Sequence, residues 1–416
     1  MEESHALITN DAVVLGLLLA LLAFVFRTSS SANPRLKKFY GIVPMLLLCY
    51  FLPSLLNTFN IVDGEHSKLY FVASRYLLPA CLILLTLSVD LKEIARLGYK
   101  PVVMFLTGTV GIILGGPLAI LLVSVFNPDL VGGAGPEAVW RGMTTVAGSW
   151  IGGGANQAAM YEVFSPTNTL FGIMITVDIL VAEVWMAFLL IGIGKKDRID
   201  RFFKADSSAV DHLQNKMEAY SKSIAKNPTT TDLMVMLGIA FSATALAHFL
   251  ADGIAPAIQE HAPFLAKFSL TSKFFWLIVF ATTAGVILSF TKAREYEGAG
   301  ASKIGTVFIF ILVATIGMKM DIRSLGDYPG LFMVGAIWMV IHVVLLVIVG
   351  KLIRAPYFFL AVGSKANIGG AASAPVLAAA FHPALAPVGV LLAVFGYVLG
   401  TYGAWVCGLL MQAVAP

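Results

Sequence analysis

Two glycine-rich segments of similar sequence constrain the fold of this chain more than any other feature. The first, IGGGANQAAMYEVF, spans Ile151 to Phe164, and the second, IGGAASAPVLAAAF, spans Ile368 to Phe381, 217 residues later. The spacing then continues without a gap, so that Gly172 corresponds to Gly389. Each segment breaks a strongly apolar region and precedes a long apolar run. Paired interruptions of this kind indicate the binding site of a secondary transporter.

The composition is that of a membrane protein. Of the 416 residues, 58% are hydrophobic and 12% are charged, whereas soluble domains carry about 25% charged residues. Long apolar runs recur from end to end, which predicts an all-α polytopic membrane protein. The N-terminal MEESHALITND lacks the basic region of a cleaved signal peptide. The basic residues are dispersed among short loops, so we expect no nucleic-acid partner. The expected partners are the lipid bilayer and a small-molecule solute.

Eleven or twelve apolar elements can be read, in two sets separated by one polar linker at 194–231. Residues 1–193 form the predicted first repeat and residues 232–416 the second. The elements of the first repeat are 10–26, 39–61, 69–89, 101–126, a glycine-rich hairpin at 142–164, and 168–193. Those of the second are 232–251, 274–291, 304–320, 330–350, a glycine-rich hairpin at 358–381, and 385–411.

Lysine and arginine predict the orientation, because they concentrate in cytoplasmic loops. If both glycine-rich elements are re-entrant, one side of the membrane carries 21 of the 28 basic residues. If the first one crosses fully, the split is 11 against 17. The first arrangement is favoured, and it leaves five crossings in each repeat. The repeats are therefore predicted to be inverted, with the N-terminus outside and the linker 194–231 cytoplasmic, in the inner (plasma) membrane.

The glycine-rich segments are the predicted substrate site. Glycine lets a substrate approach the backbone closely, and broken helix ends expose N–H groups that attract anions. The alternative is that these glycines only permit tight helix packing. The candidate substrate-binding residues are Ser149, Gly152, Gly153, Gly154, Asn156, Gln157, Asn367, Gly369, Gly370 and Ser373.

Two acidic residues lie near the middle of the apolar run 168–193. Asp178 and Glu183 are costly in a bilayer, so both are expected to face the protein interior. The second repeat has Phe395 and Gly400 at these positions, so the carboxylates are specific to one copy. We predict that Asp178, and less strongly Glu183, couples transport to an ion, with a bound Na⁺ near Asp178 and Asn156 as the one cofactor considered. The alternative to ion coupling is that one of these carboxylates only forms a hydrogen bond with a neighbouring helix.

Other polar residues in apolar runs receive simpler interpretations. Lys365 either pairs with a substrate carboxylate or, as we prefer, extends its ammonium to the cytoplasmic interface. His248 and His342 are expected to pack or to bond between helices, and the three cysteines to pack. Pro79 is expected to break the hydrogen-bond ladder of its helix, freeing carbonyls for an ion or forming a static kink.

The segments GSWIGGGANQAAM, SRYLLPACLILLTLSVDLKEI and ANIGGAASA resemble the YjcL-like family of multi-pass membrane proteins over nearly the whole chain. That family looks related to the superfamily of cation/proton antiporters, bile-acid sodium symporters and 2-hydroxycarboxylate transporters. The resemblance implies an inverted-repeat core that moves against a scaffold, often in a dimer, with Na⁺ or H⁺ as coupling ion. The 2-hydroxycarboxylate branch carries GGxG, whereas this chain reads GGGA at 152–155 and GGAA at 369–372. A hydroxycarboxylate substrate therefore does not follow.

The sequence thus predicts a secondary active symporter of a small, carboxylate-bearing solute, driven by Na⁺ or H⁺, with an elevator mechanism. The hairpins with 168–193 and 385–411 would form the moving core, and 10–61 and 232–291 the scaffold and homodimer contacts. The alternative within transport is a cation/proton antiporter without an organic substrate. An intramembrane enzyme or a sensor is more remote, since no Walker, HExxH, GxSxG or kinase motif occurs.

Overall fold

The computed structural model describes residues 6–40, 43, 45–64, 66–205, 208, 210, 213, 227–268, 270–319, 329–382 and 385–416. Every element named within these ranges is a helix, and seven helices are long and apolar enough to cross a membrane. The prediction of an all-α polytopic membrane protein is confirmed. The seven helices are Asp11–Ser29, Leu69–Leu87, Tyr99–Ser124, Asn168–Ile193, Thr230–His261, Gly330–Leu352 and Ala386–Val414.

The described residues of the first half of the chain form nine helices of six residues or more, joined by short loops. Polar N-caps start several of them, such as Thr167, whose hydroxyl accepts the Leu170 N–H at 3.2 Å. The helices are α1 (Asp11–Ser29), α2 (Pro34–Tyr40), α3 (Met45–Thr58), α4 (Leu69–Leu87), α5 (Leu91–Arg96), α6 (Tyr99–Ser124), α7 (Val139–Phe164), α8 (Asn168–Ile193) and α9 (Lys196–Phe203). Two further single turns, Pro128–Val131 and Gly135–Glu137, lie between α6 and α7.

The second half resumes after the predicted linker, of which residues 214–226 and several preceding ones lie outside the described part. A capping box formed by Thr229 and Asp232 starts its first helix. The helices are α10 (Thr230–His261), α11 (Lys273–Ser289), α12 (Ala301–Gly317), α13 (Gly330–Leu352), α14 (Tyr357–Asn367), α15 (Gly370–Phe381) and α16 (Ala386–Val414).

The long helices pack as two groups. One group contains α1, α3, α4, α10, α11 and α12, and the other contains α6, α7, α8 and α13 to α16. Each half of the chain therefore gives its earlier helices to the first group and its later helices to the second. Large apolar side chains such as Phe126, Phe188 and Phe249 are exposed on the outer surface, as expected for helices that face lipid. The second group contains both glycine-rich segments.

Helix α4 contains a π-helical turn at Ala73–Leu77, immediately before Pro79. Proline has no N–H and its ring displaces the carbonyl four residues earlier, so this distortion is expected. The carbonyl four residues before Pro79 belongs to Arg75, and Nε2 of His248 on α10 lies 2.8 Å from it. The predicted break in the hydrogen-bond ladder is confirmed, and the freed carbonyl bonds to a histidine, whereas ion binding there stays a prediction. The prediction that His248 bonds between helices is confirmed by the same contact.

Candidate functional site

Helix α7 is a hairpin that reverses at Gly153. Gly153 has φ 74° and ψ −175°, a backbone conformation that glycine adopts easily and other residues rarely. The ends of the element consequently lie together, since Arg141 Nη1 donates to Phe164 O at 2.5 Å and the rings of Trp140 and Phe164 are 5.7 Å apart. A straight helix would separate positions 141 and 164 by about 35 Å. We call Val139–Phe164 hairpin A.

Helices α14 and α15 form a second hairpin, which we call hairpin B. Its tip contains Gly369 with φ 100° and Gly370 with φ 54°, both in the left-handed region. Its two ends also lie together, because the ring of Phe381 is 5.8 Å from that of Tyr357 and 5.1 Å from that of Phe358. Both duplicated glycine clusters are therefore points at which a helix breaks and the chain turns back.

The two hairpins approach each other from opposite ends of α8, and their tips meet. The base of hairpin A bonds to Asn168, the first residue of α8. The base of hairpin B bonds to the carbonyl of Leu189, at 2.8 Å, about 32 Å further along the same helix. The tips meet between these two ends of α8. A Cβ atom added to Gly370, at the tip of hairpin B, would lie 4.0 Å from the Cα of Gly153, at the tip of hairpin A. The two breaks thus form one shared site beside the middle of α8.

The carboxylate of Asp178 joins hairpin A to α8. Its oxygens accept hydrogen bonds from Trp150 Nε1 at 2.6 Å and Gln157 Nε2 at 2.9 Å, and the Ser149 side chain also interacts with it. Trp150 and Ser149 belong to one limb of the hairpin and Gln157 to the other. Asp178 is only 4% exposed, which confirms that it faces the protein interior. Gln157 in turn accepts the Tyr50 hydroxyl at 3.2 Å, so this network reaches α3.

The side chain of Asn156 is bonded within the protein. Its Nδ2 donates to Gly152 O at 2.9 Å, within hairpin A, and to Tyr397 O on α16 at 3.3 Å. Its Oδ1 accepts the hydroxyl of Thr401, one turn further along α16, at 2.6 Å. A carbonyl and a hydroxyl four residues apart on one helix thus hold the amide at both ends.

Asn367 of hairpin B is held in the same way by α6. Its Nδ2 donates to Gly363 O and to Phe105 O, each at 2.9 Å, and its Oδ1 accepts the Thr109 hydroxyl at 2.8 Å. Phe105 and Thr109 are again four residues apart. Substrate binding by these two asparagines stays a prediction, and their contacts show that each also fixes a hairpin to a neighbouring helix.

The three glycines of hairpin A differ in what surrounds them. A Cβ on Gly152 would lie 2.2 Å from Asn156 Nδ2 and 2.7 Å from the Cα of Gly400, so Gly152 permits close helix packing. Gly153 requires its unusual backbone conformation. Gly154 has an open neighbourhood, with the nearest atom to an added Cβ at 3.8 Å. The packing interpretation therefore applies to Gly152, whereas Gly154 has space beside it and the approach of a substrate there stays a prediction.

The expectation that Glu183 faces the protein interior is wrong. Glu183 is exposed on the surface of α8, as is its neighbour Val184. Five residues after Asp178 correspond to about 140° of rotation on an α-helix, so one of the two acids must turn away from the core. Asp178 is the acid that contacts a hairpin.

The expectation that Lys365 extends to the interface is also wrong. Lys365 is 0% exposed, and its Nζ donates to Ala182 O at 3.1 Å. It lies near the tip of hairpin B, where the surrounding helices enclose its side chain. Asp178 and Glu183 both act on it electrostatically. Ser373, at the start of α15, has a buried hydroxyl with no hydrogen-bond partner among the described residues.

His342 and Ser364 fix hairpin B to α13. The Ser364 hydroxyl lies 2.8 Å from His342 Nε2 and accepts the indole N–H of Trp185 at 2.8 Å, and His342 Nδ1 lies 3.0 Å from Gly108 O. The prediction that His342 bonds between helices is confirmed. Sequence reasoning missed Trp150 and Trp185, although a tryptophan in an apolar helix generally needs an acceptor for its N–H.

No group of three His, Cys, Asp or Glu side chains that could hold a metal ion occurs within the described ranges. The three cysteines are free and buried, which confirms their interpretation as packing residues. They are Cys49, Cys81 and Cys407.

Comparison with known sequences relates the chain to a membrane-protein family. The family described as "Protein of unknown function (DUF819)" matches residues 16–414. The chain is also 25% identical over 346 residues to the uncharacterized membrane protein YjcL of Bacillus subtilis (strain 168), covering 81% of this chain and 82% of that relative. The resemblance to YjcL-like membrane proteins is thereby confirmed, whereas the link to the wider transporter superfamily stays a prediction.

Proposed function

We propose that this chain, which belongs to the DUF819 family, is a secondary active transporter of a small organic solute that bears a carboxylate, coupled to Na⁺ or H⁺. One observation carries the proposal. Two helical hairpins approach from opposite ends of α8, and their glycine tips meet, with Gly370 against Gly153. Broken elements that converge from opposite sides are the arrangement in which secondary transporters hold their substrates.

The physical reason lies in the backbone at the tips. A broken helix leaves N–H and C=O groups without intrahelical partners, and lipid cannot satisfy them. Such breaks persist at membrane depth only where protein or a polar cavity surrounds them. Gly153 and Gly154 are partly accessible and Gly369 is exposed, whereas most residues of the two hairpins are buried. These glycines therefore mark the position at which a solute would contact the backbone.

Inverted repeats and an elevator mechanism complete the proposal. In it, residues 1–193 and 232–416 are the repeats, and both hairpins are re-entrant. The division of helices into two groups, the later helices of each half packing with the hairpins, supports a moving core and a scaffold. The bias of basic residues supports an outside N-terminus and a cytoplasmic linker in the plasma membrane. A homodimer formed through the scaffold belongs to the same proposal, and no enzymatic activity does.

Asp178 is the proposed coupling group. It is a buried carboxylate bonded to neutral donors from both limbs of hairpin A, so a change in its protonation or ion binding would alter the hairpin directly. Glu183 is a weaker candidate, because it is exposed on the outer side of α8.

A cation/proton antiporter is the second candidate function. The observation that favours it is that Asp178 of α8 and Lys365 of hairpin B are buried groups of opposite charge that interact electrostatically, as the exposed Glu183 also does with Lys365. Exchange of a proton for a cation at such a pair would need no organic solute.

A thermal-shift screen of the purified protein distinguishes the two functions. Carboxylates, amino acids and dipeptides are tested with and without Na⁺, since a ligand at 100 times its dissociation constant stabilises by about 2.7 kcal/mol. The proposed function predicts stabilisation by at least one carboxylate-bearing solute. Stabilisation by Na⁺ alone, with no effect of any solute in the panel, would favour the antiporter.

A further inference from the structure

Lys365 is a buried cation without a counter-ion in contact. No carboxylate of the described residues lies within 4.0 Å of its ammonium, and its hydrogen-bond partner is one backbone carbonyl, that of Ala182. Both oxygens of Asp178 are already engaged by hairpin A. A buried ammonium is costly unless an anion pairs with it, so this group has unused capacity to bind one.

A donor without a partner lies near Lys365 at the same tip. The Ser373 hydroxyl oxygen is buried and has no hydrogen-bond partner within the described part of the chain. A Cβ built on Gly369 would lie 2.2 Å from Ser373 Oγ and 3.4 Å from Lys365 Nζ. Both donors therefore lie against the backbone of Gly369, and a side chain at residue 369 would collide with the Ser373 hydroxyl.

The backbone at this point also favours an anion. Gly369 is exposed and precedes α15, a helix of 12 residues whose first N–H groups receive no side-chain cap and whose first turn contains no acidic residue. The N-terminus of a helix carries partial positive charge. Ammonium, hydroxyl and helix terminus thus lie close to the exposed Gly369.

We propose that Lys365, Ser373 and the start of α15 form the subsite that binds the carboxylate of the transported solute, which reaches the two donors past Gly369, a residue without a side chain to cover them. This inference rests on the proposed transport function. In the subsite, one carboxylate oxygen accepts from the Lys365 ammonium and the other from the Ser373 hydroxyl, close to the contact between the two hairpin tips. The rest of the solute extends toward hairpin A.

Thiol chemistry tests the charge of this subsite without any assumption about transport. Ser373→Cys introduces a thiol at the subsite, and the full-length protein is reacted with anionic 2-sulfonatoethyl and cationic 2-(trimethylammonium)ethyl methanethiosulfonate. The three native cysteines are buried, so the wild-type protein provides the blank. We compare the rate at which the anionic reagent modifies the introduced thiol with the rate for the cationic reagent. The ratio of these two rates should fall at least about tenfold when Lys365→Met is added, because the nearby positive charge attracts the anionic reagent strongly in a weakly screened interior. An unchanged ratio, or a thiol that reacts with neither reagent, would overturn the proposal.

A second measurement uses the wild-type protein and needs no variant. Sodium propionate should raise its melting temperature, whereas the neutral isostere propionamide and sodium chloride at the same concentration should not. Equal effects of all three, or no effect of propionate, would contradict a carboxylate subsite. If both tests succeed but proteoliposomes show no uptake of any solute, the transport function fails while the subsite stands. If uptake occurs but the thiol-rate ratio is unchanged, the subsite fails while the transport function stands.

Discussion

Replacing Gly153 with alanine should destabilise hairpin A, although there is room for the added methyl group. The nearest atom to a Cβ at this position is Tyr397 Cε1 at 3.4 Å, an ordinary contact. The backbone, however, has φ 74° and ψ −175°, a region that essentially only glycine occupies, and a side chain forced into such a region costs about 1–3 kcal/mol. We therefore expect Gly153→Ala to lower the free energy of unfolding by about 1–3 kcal/mol, through backbone strain alone.

The neighbouring glycines supply matched controls. Gly154 has no positive φ, and an added Cβ would only meet Ile309 Cγ1 at 3.8 Å. Alanine is favoured over glycine in a helix by about 0.5–1 kcal/mol, so Gly154→Ala should leave stability unchanged or raise it by this amount. Gly152→Ala should destabilise by about 1–3 kcal/mol for another reason, because its methyl would collide with Asn156 and the backbone of Gly400.

The assay is an SDS titration of each purified full-length variant in detergent micelles, followed by tryptophan fluorescence. The reasoning predicts that Gly154→Ala is at least as stable as the wild type and that Gly153→Ala is less stable. If Gly153→Ala were as stable as Gly154→Ala, the chain would not turn back at residue 153. The hairpin geometry on which the site depends would then be refuted.

Three further variants test the coupling group and two hairpin contacts. Asp178→Asn should abolish gradient-driven accumulation in proteoliposomes but leave solute-for-solute exchange partly intact, because it removes the charge; a variant that still accumulates solute would make Asp178 a structural residue only. Asn367→Ala should lower the free energy of unfolding in the SDS titration by about 1–3 kcal/mol, since it removes buried hydrogen bonds to the carbonyls of Phe105 and Gly363 and from the Thr109 hydroxyl. Asp200→Ala should cost about 1 kcal/mol and speed hydrogen exchange at Tyr357, whose N–H it accepts at 2.6 Å; unchanged exchange there would contradict this contact.

The breaks in the helices could be predicted because their causes are local. Clusters of glycine lower helix propensity wherever they occur, and Gly153, Gly369 and Gly370 adopt positive φ within the duplicated segments. The all-helical character likewise follows from apolar runs of sufficient length. The corresponding position of the two segments in the chain also indicated that they would form one site, and the contact between Gly370 and Gly153 agrees with this.

The orientation of side chains could not be predicted in the same way. Hydropathy along an apolar helix does not fix its rotation, so the exposed Glu183 and the buried Lys365 were both assigned to the wrong environment. Hydrogen-bond partners were equally inaccessible, because they come from distant parts of the chain. Asn156, for example, accepts the hydroxyl of Thr401, 245 residues away. A polar residue type near a break therefore identified the region of the site but not the partner that each residue binds.

Uptake into proteoliposomes tests the transport function most directly. The purified protein is reconstituted, and the carboxylate-bearing solute that stabilises it most in the thermal-shift screen is supplied in labelled form under an inward Na⁺ gradient, an inward H⁺ gradient, or neither. The account predicts accumulation above the external concentration under one of the two ion gradients, collapse of that accumulation when an ionophore dissipates the gradient, and none in protein-free liposomes. Equilibration without accumulation under either gradient, or no uptake beyond that of protein-free liposomes, would contradict secondary active transport.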